Sequence, residues 1–298
     1  MDINIYQVDA FTDKAFGGNP AGIVISPRNL AEEIMQNIAE EMNLSETAFV
    51  TPFSKDSFLV RYFTPVCEID LCGHATIAAF FALGEMGYIQ GVENGILKAY
   101  QETKIGQLPV ELVYINGKLD KVYMEQGKPK SLGIIKELDG LAEAMGISIS
   151  DIGIQGDNVY PEIVSTGVPD IILPVKNKEA LDNIKINKEK LLNLSKELNV
   201  IGVHAFYLPK INSECVYTRN FAPNVGIDEE AATGTSNGAL IYYLKKNKLI
   251  EGNELISYQG ELMNRPSTIY CKIEEVDGEY KVKVGGRAKI VMSGILSV

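Results

Sequence analysis

Two short stretches carry most of the residue types able to do chemistry in this chain. The first is Cys72-Gly73-His74-Ala75 and the second is Thr233-Gly234-Thr235-Ser236. Each sets a glycine among small residues at the start of an apolar helical segment. Glycine lets the backbone turn sharply and lets a ligand approach closely. The free N–H groups of a first helical turn point outward with the positive end of the helix dipole, an arrangement that binds a carboxylate or phosphate. Thr235 and Ser236 would also serve as plain N-caps, so either mouth taken alone has two readings. Two equivalent mouths in one chain favour anion binding.

Proton chemistry needs a titratable group nearby, and the sequence offers few. Glu46 lies in Leu44-Ser45-Glu46-Thr47-Ala48-Phe49, where a loop enters a buried strand. Partial desolvation there would raise the carboxyl pKa and suit it to shuttle a proton; the alternative is a strand-edge glutamate in water. Glu230 follows Asp228 and Glu229 in an acidic run of the kind that usually marks a solvated loop, so it has the same two readings. His74 would sit in the first turn of its helix, where the dipole lowers its pKa and favours the neutral ring. Cys72 beside it would become more acidic and more nucleophilic, against the alternative of a buried, inert thiol.

Composition narrows the rest. The chain has 298 residues with only two His and four Cys. Cys67, Cys72, Cys215 and Cys271 contain no CxxC pair, so neither a disulfide framework nor a thiolate zinc site is expected. His74 and Cys72 together supply two ligands at most, and no metal or other cofactor is expected. Neither a Walker sequence nor a GxGxxG fingerprint occurs, which removes support for nucleotide binding. A net charge of −11 argues against nucleic acid or an anionic membrane as partner. No apolar run approaches the ~18 residues of a membrane span. The opening MDINIYQVDAFTDK lacks a signal-peptide layout, so a cytoplasmic protein is expected.

The elements that must position these residues alternate in type. Strands are expected at the start, around residues 21–25, and at 47–52 and 57–63. A helix opens at Asn29-Leu30 with Leu30, Ile34, Ile38 and Met42 on one face. ATIAAFFAL, following His74, is apolar on nearly all sides, so its helix should be buried all round, as when a curved sheet wraps it. The later chain repeats this order. Strands are expected near 108–114, 119–125, 161–165, 201–208 and 214–221, with helices near 134–145 and 187–198. An apolar helix from Thr235 to Lys246 follows, then strands at 254–258, 267–274, 279–284 and 287–297.

The text before the two apolar helices also repeats. RYFTPVCEIDLCGHAT at 61–76 and RNFAPNVGIDEEAATGTSN at 219–237 share Arg-x-Phe-x-Pro, then Ile-Asp with acidic neighbours, then a small residue and Gly. Two strand–loop–buried-helix units imply an internally duplicated α/β or α+β protein. The expected division is 1–118, completed by the strand 287–298, and 119–286.

At this level of detail the chain resembles the PhzF family of phenazine-biosynthesis-like isomerases, within the diaminopimelate-epimerase-like superfamily. The resemblance rests on VDAFTDKAFGGNPAGIVI, LSETAFV, FTPVCEIDLCGHAT, ATGTSNGAL, Gln259-Gly260, Arg265-Pro266-Ser267 and VKVGGRA, in that order over essentially the whole length. It implies two similar domains, each a strongly curved, mostly antiparallel sheet around a central helix, with the active site in the cleft between them. It also implies a homodimer that moves a proton between carbons of a small carboxylate-bearing molecule without a cofactor.

Under this resemblance Glu46 matches the acid/base glutamate. Gly73 and His74 match the glycine-histidine pair that holds and polarises substrate. From the reading of the two helix starts, and not from the resemblance, Ala75, Gly234 and Ser236 are also expected to contact substrate. The family's second motif carries an aspartate and a serine where this chain has Glu230 and Thr235, departures of one methylene and one methyl. The epimerase branch opposes two cysteines; Cys72 matches the first, but Thr233 stands at the second and is too weakly acidic to replace a thiol. Catalytic roles are therefore expected for Glu46, His74 and Glu230. The rival readings are an epimerase using Cys72 with Glu46, and a member of the fold that binds a metabolite without chemistry.

Overall fold

The computed structural model describes residues 2–157 and 159–297. They fall into two compact units, one running to Glu125 and taken up again from Gly285, the other spanning Gln126–Val284. The first contains strands β1 (Asp2–Ala10) and β2 (Asn19–Ile25), helix α1 (Glu32–Met42), strands β3 (Thr47–Pro52), β4 (Ser57–Phe63) and β5 (Glu68–Ile69), helix α2 (Gly73–Glu85), and strands β6 (Gly95–Thr103), β7 (Gly106–Ile115) and β8 (Lys118–Glu125). The second begins with β9 (Lys130–Ile134), α3 (Asp139–Met145), β10 (Glu162–Ser165), β11 (Pro169–Pro174), α4 (Lys178–Asp182), α5 (Lys188–Glu197) and β12 (Val203–Tyr207). It continues with β13 (Cys215–Ala222), β14 (Ile227–Glu230), α6 (Gly234–Lys246), β15 (Glu254–Gln259), β16 (Ser267–Val276) and β17 (Glu279–Gly286). The last strand, β18 (Ala288–Ser297), returns to the first unit.

The strand pairings establish the duplication more firmly than the text repeat. In the first unit β18 and β2 flank β1 antiparallel, β2–β3 is parallel, β3–β4 antiparallel, β4–β6 parallel and β6–β7 antiparallel. The second unit repeats this sequence of directions through β9, β10, β11, β12, β13, β15 and β16. In both, a short strand (β5 or β14) lies antiparallel on the one before it and leads into the buried helix. β8 forms a hairpin with β7 in which Val110 faces Met124, and the first compact unit runs to Glu125.

Helix α2 packs on β1, β2, β3, β7, β8 and β18, so strands from both ends of its sheet touch it. That is the curvature expected for GHATIAAFFALGE, whose residues from His74 to Phe80 are all buried. Alanines 75, 78, 79 and 82 let the strands come close, while Phe80 and Leu83, fully buried, each contribute about 1.5–3 kcal/mol of apolar burial. Helix α6 contacts β10, β11, β12 and β16 in the same manner.

The Arg-x-Phe-x-Pro repeat has a structural cause. Arg61 on β4 makes a two-pronged ion pair to Glu68 on β5, with both N–O distances 2.7 Å, and lies 5.2 Å from the Phe63 ring. Arg219 on β13 grips Glu229 on β14 at 2.8 Å twice and lies 4.8 Å from the Phe221 ring. Each arginine thereby pins the short strand that delivers the chain to its helix mouth. The two differ by three residues, because Glu68 is seven after Arg61 and Glu229 ten after Arg219. A single 3-10 turn, Pro223–Val225, lies in the longer segment.

Two expectations are corrected. The helix expected over 134–145 begins only at Asp139. Residues 130–134 form β9 instead, where Ile134 faces Glu162 of β10. The first surface helix starts at Glu32 rather than at Leu30, which sits ahead of it and packs in the same apolar cluster as Met35 and Ile38.

Candidate active site

Three of the residues singled out in the first half converge. Helix α1 ends on Asn43 in the left-handed conformation (φ 48°), which turns the chain back toward the sheet. Glu46 is then fixed by its carbonyl, which accepts a hydrogen bond of 2.9 Å from the Gly22 amide on β2. Its carboxylate oxygen Oε2 lies 3.1 Å from His74 Nε2. On the other side of the ring, Nδ1 is 3.4 Å from Cys72 Sγ. Cys72 is the residue before α2, His74 is in its first turn, and both are buried; Glu46 is 15% exposed.

The helix start is braced from behind. The Thr76 hydroxyl donates to the Cys72 carbonyl at 2.7 Å, and Tyr62 reaches both Thr76 Oγ1 (2.7 Å) and Gln101 Oε1 (2.6 Å). Cys72 makes no side-chain cap. Space remains at Gly73, where an added Cβ would meet only Met124 Sδ, at 3.7 Å. Ala75 is buried within the helix.

Electrostatics at this site differ from the expectation in all three groups. Burial pushes the Glu46 carboxyl up, but the charge and hydrogen bond of His74 outweigh it and hold the group below its ordinary value. The His74 ring is pushed down by burial, yet the negative charge it meets at Cys72 and Glu46 carries it well above its ordinary value. Burial raises the Cys72 thiol toward its neutral form, which weakens the larger of the two charges raising His74 and leaves that of Glu46. Glu46 and His74 thus each favour the charged form of the other across 3.1 Å. The helix dipole suggests a neutral ring and an acidic thiol, but a carboxylate at 3.1 Å outweighs a half-charge at the helix end.

The second mouth is organised differently. Thr233 donates its hydroxyl to Glu230 Oε2 at 2.7 Å instead of capping α6. Gln259 spans behind it, donating to the Glu230 carbonyl (2.8 Å) and to Thr233 Oγ1 (3.1 Å) while accepting from the Thr233 amide (3.2 Å). Gly234 is buried and Thr235 half-buried, its carbonyl held by the Thr166 hydroxyl at 2.9 Å. Ser236, expected at a ligand, is 1% exposed and gives its hydroxyl to Asp170 at 2.5 Å, which leaves only its backbone for binding. Sequence reasoning misses Asp170, for which the one signal is an acid inside the apolar strand PDIILP. His204, the other histidine, lies in the core of the second unit against Asn220 (3.2 Å), and burial lowers its pKa to about 3.

This arrangement can take up and release a proton at Glu46 while His74 supplies fixed positive charge. The family model for phenazine biosynthesis-like proteins matches residues 8–294. An uncharacterised isomerase of Clostridium acetobutylicum is 35% identical over 306 residues, covering 98% of this chain and 97% of its own. The crystal structure of a Bacillus anthracis phenazine biosynthesis protein of the PhzF family superposes with a TM-score of 0.88 at 29% identity, covering all of both chains. A hydroxyproline epimerase from Agrobacterium vitis shares the fold at a TM-score of 0.63 and 14% identity, covering 99% of this chain and 91% of its own. The chain belongs to the PhzC/PhzF family of phenazine biosynthesis-like proteins and is an isomerase of that type.

Proposed function

We propose that the protein moves a proton between carbons of a small carboxylate-bearing metabolite, with Glu46 removing and returning it. The observation that carries this reading is the Glu46–His74 pair at the mouth of α2, at 3.1 Å. A carboxylate held in its ionised form is ready to act as a base. The adjacent imidazolium and the first-turn amides offset negative charge as it develops on the substrate. Once protonated, Glu46 delivers the proton to the second carbon, so no external acid is required. We also assign substrate contacts to Gly73 and Ala75 at the start of α2 and to Gly234, Thr235 and the backbone of Ser236 at the start of α6, with Glu230 setting charge. Glu46→Gln tests the proposal. It should abolish deuterium uptake from D2O into any compound the wild type isomerises, with binding of that compound retained; full exchange in the variant overturns it.

A second reading follows from the thiol 3.4 Å from the same ring. Cys72, neutral through burial, could serve as the acid opposite Glu46 in an epimerase. Cys72→Ser separates the two. Loss of turnover by orders of magnitude supports the epimerase, whereas a change within about tenfold supports proton shuttling by Glu46 alone.

A further inference from the structure

Cys72, His74 and Glu46 bring together a sulfur, a nitrogen and an oxygen donor whose ligand atoms all lie within 4.8 Å of one another. Among the described residues this is the one such grouping of histidine, cysteine and carboxylate side chains. Sequence spacing alone shows only the cysteine and the histidine; the third donor comes from Glu46, which the turn after α1 carries to them. We infer that these three side chains form a binding site for zinc-class divalent cations, and that occupancy takes the Glu46–His74 pair out of service. Binding itself needs only the donor atoms, whereas the loss of the pair's service rests on the isomerase reading.

The donor set selects the ion. Thiolate and imidazole favour zinc and its neighbours, whereas magnesium and calcium require oxygen ligands throughout. Zinc bonds of about 2.0–2.3 Å place neighbouring tetrahedral donors roughly 3.3–3.7 Å apart. Taking one ligand atom from each residue, the three donors lie within 4.8 Å of one another, wider than that spacing, with Cys72 Sγ 3.4 Å from His74 Nδ1 and Glu46 Oε2 3.1 Å from the opposite nitrogen, Nε2. One ring nitrogen binds one ion, so a rotation of Glu46 or Cys72 toward the same nitrogen completes the set. The backbone under all three is fixed, by Gly22 for Glu46 and by Thr76 and Tyr62 for the helix start. Three protein ligands leave a fourth position for water or a small anion, and the bare face of Gly73 provides room for it. When the ion binds, the Cys72 thiol and the His74 ring each give up a proton to solvent, and the Glu46 lone pairs are occupied.

The test uses the metal-free full-length protein, with Co2+ as a spectroscopic probe and Zn2+ as competitor. Expected are a thiolate-to-cobalt charge-transfer band in the near ultraviolet, visible bands of a tetrahedral site, saturation at one ion per chain, and reversal by Zn2+. The near-ultraviolet band should vanish in Cys72→Ser and persist in Cys67→Ser, which removes an exposed thiol. His74→Asn and Glu46→Gln should each weaken Zn2+ binding by tenfold or more. A wild-type protein without the band overturns the inference, independently of how any variant folds. So does a band that survives Cys72→Ser, or Zn2+ affinity unchanged by His74→Asn and Glu46→Gln.

Discussion

Asp170 on β11 lies in the core, 2% exposed, accepting from Ser236 Oγ at 2.5 Å and from the Gly202 amide at 3.1 Å. Burial raises its pKa from 3.8 to about 6, against the opposing pull of those two hydrogen bonds. The native state therefore binds this proton more tightly than the unfolded chain does. Its contribution to stability is complete below about pH 4 and is lost as pH rises through about 6, a difference on the order of 3 kcal/mol. Asp170→Asn removes that titration. The stability of wild type relative to the variant, from urea melts at a series of pH values, should fall by about that amount between pH 4 and 7; parallel profiles would refute it. Asp170 cannot be found from sequence because its partner lies 66 residues away on another element. Glu46, Cys72 and His74 are legible as candidates, since each sits beside a recognisable strand or helix start. The protonation states of the three are not legible. Those depend on a 3.1 Å contact that only the folded β2–β3 pairing creates, whereas dipole and burial are readable from local text.

At the scale of elements, the position of Glu46 depends on how closely β2 and β3 approach. Gly22 faces Thr47 in that parallel pair, and a Cβ at Gly22 would sit 2.6 Å from Thr47 Oγ1 and 3.1 Å from its Cγ2. Gly22→Ala should therefore push Thr47 and the adjoining Glu46 away from β2 and lengthen the 2.9 Å hydrogen bond from residue 22 to the Glu46 carbonyl. The expected cost is about 1–3 kcal/mol of stability, with a larger relative loss of activity than of folded protein. Equal activity per folded molecule in the variant would show that the loop tolerates the shift. The two buried helices are legible in the amino-acid sequence because all-round apolarity over so short a run has few explanations other than burial. No helix among the described residues is long and apolar enough to cross a membrane. The short elements are not legible in the same way. β9 is exposed at every residue and α4 has five residues, so neither carries enough periodic signal to be told from a loop.

The whole chain is two copies of one strand order, but they are threaded differently. In the second unit the strand flanking β10, which is β9, precedes it in sequence. In the first unit the equivalent partner of β1 is β18, from the opposite end of the chain, paired from Asp2↔Ser297 to Ala10↔Ala288. The first unit therefore cannot be completed until the last residues are available, and α2, which packs on β18, stays uncovered on that side until then. This gives a prediction for folding. Residues 1–125 alone should form at most a loosely packed state, since β1 keeps one neighbour and the apolar face of α2 is exposed. Joining residues 285–298 ahead of residue 2 through a short glycine linker gives β18 the place that β9 holds in the second unit. The antiparallel register favours it, because Ser297 already faces Asp2. That permuted half should show a cooperative thermal transition that residues 1–125 alone lack. If residues 1–125 melt as cooperatively without β18, the last strand is an accessory edge. If the permuted half remains loosely packed, completion of the sheet is not what the first unit lacks.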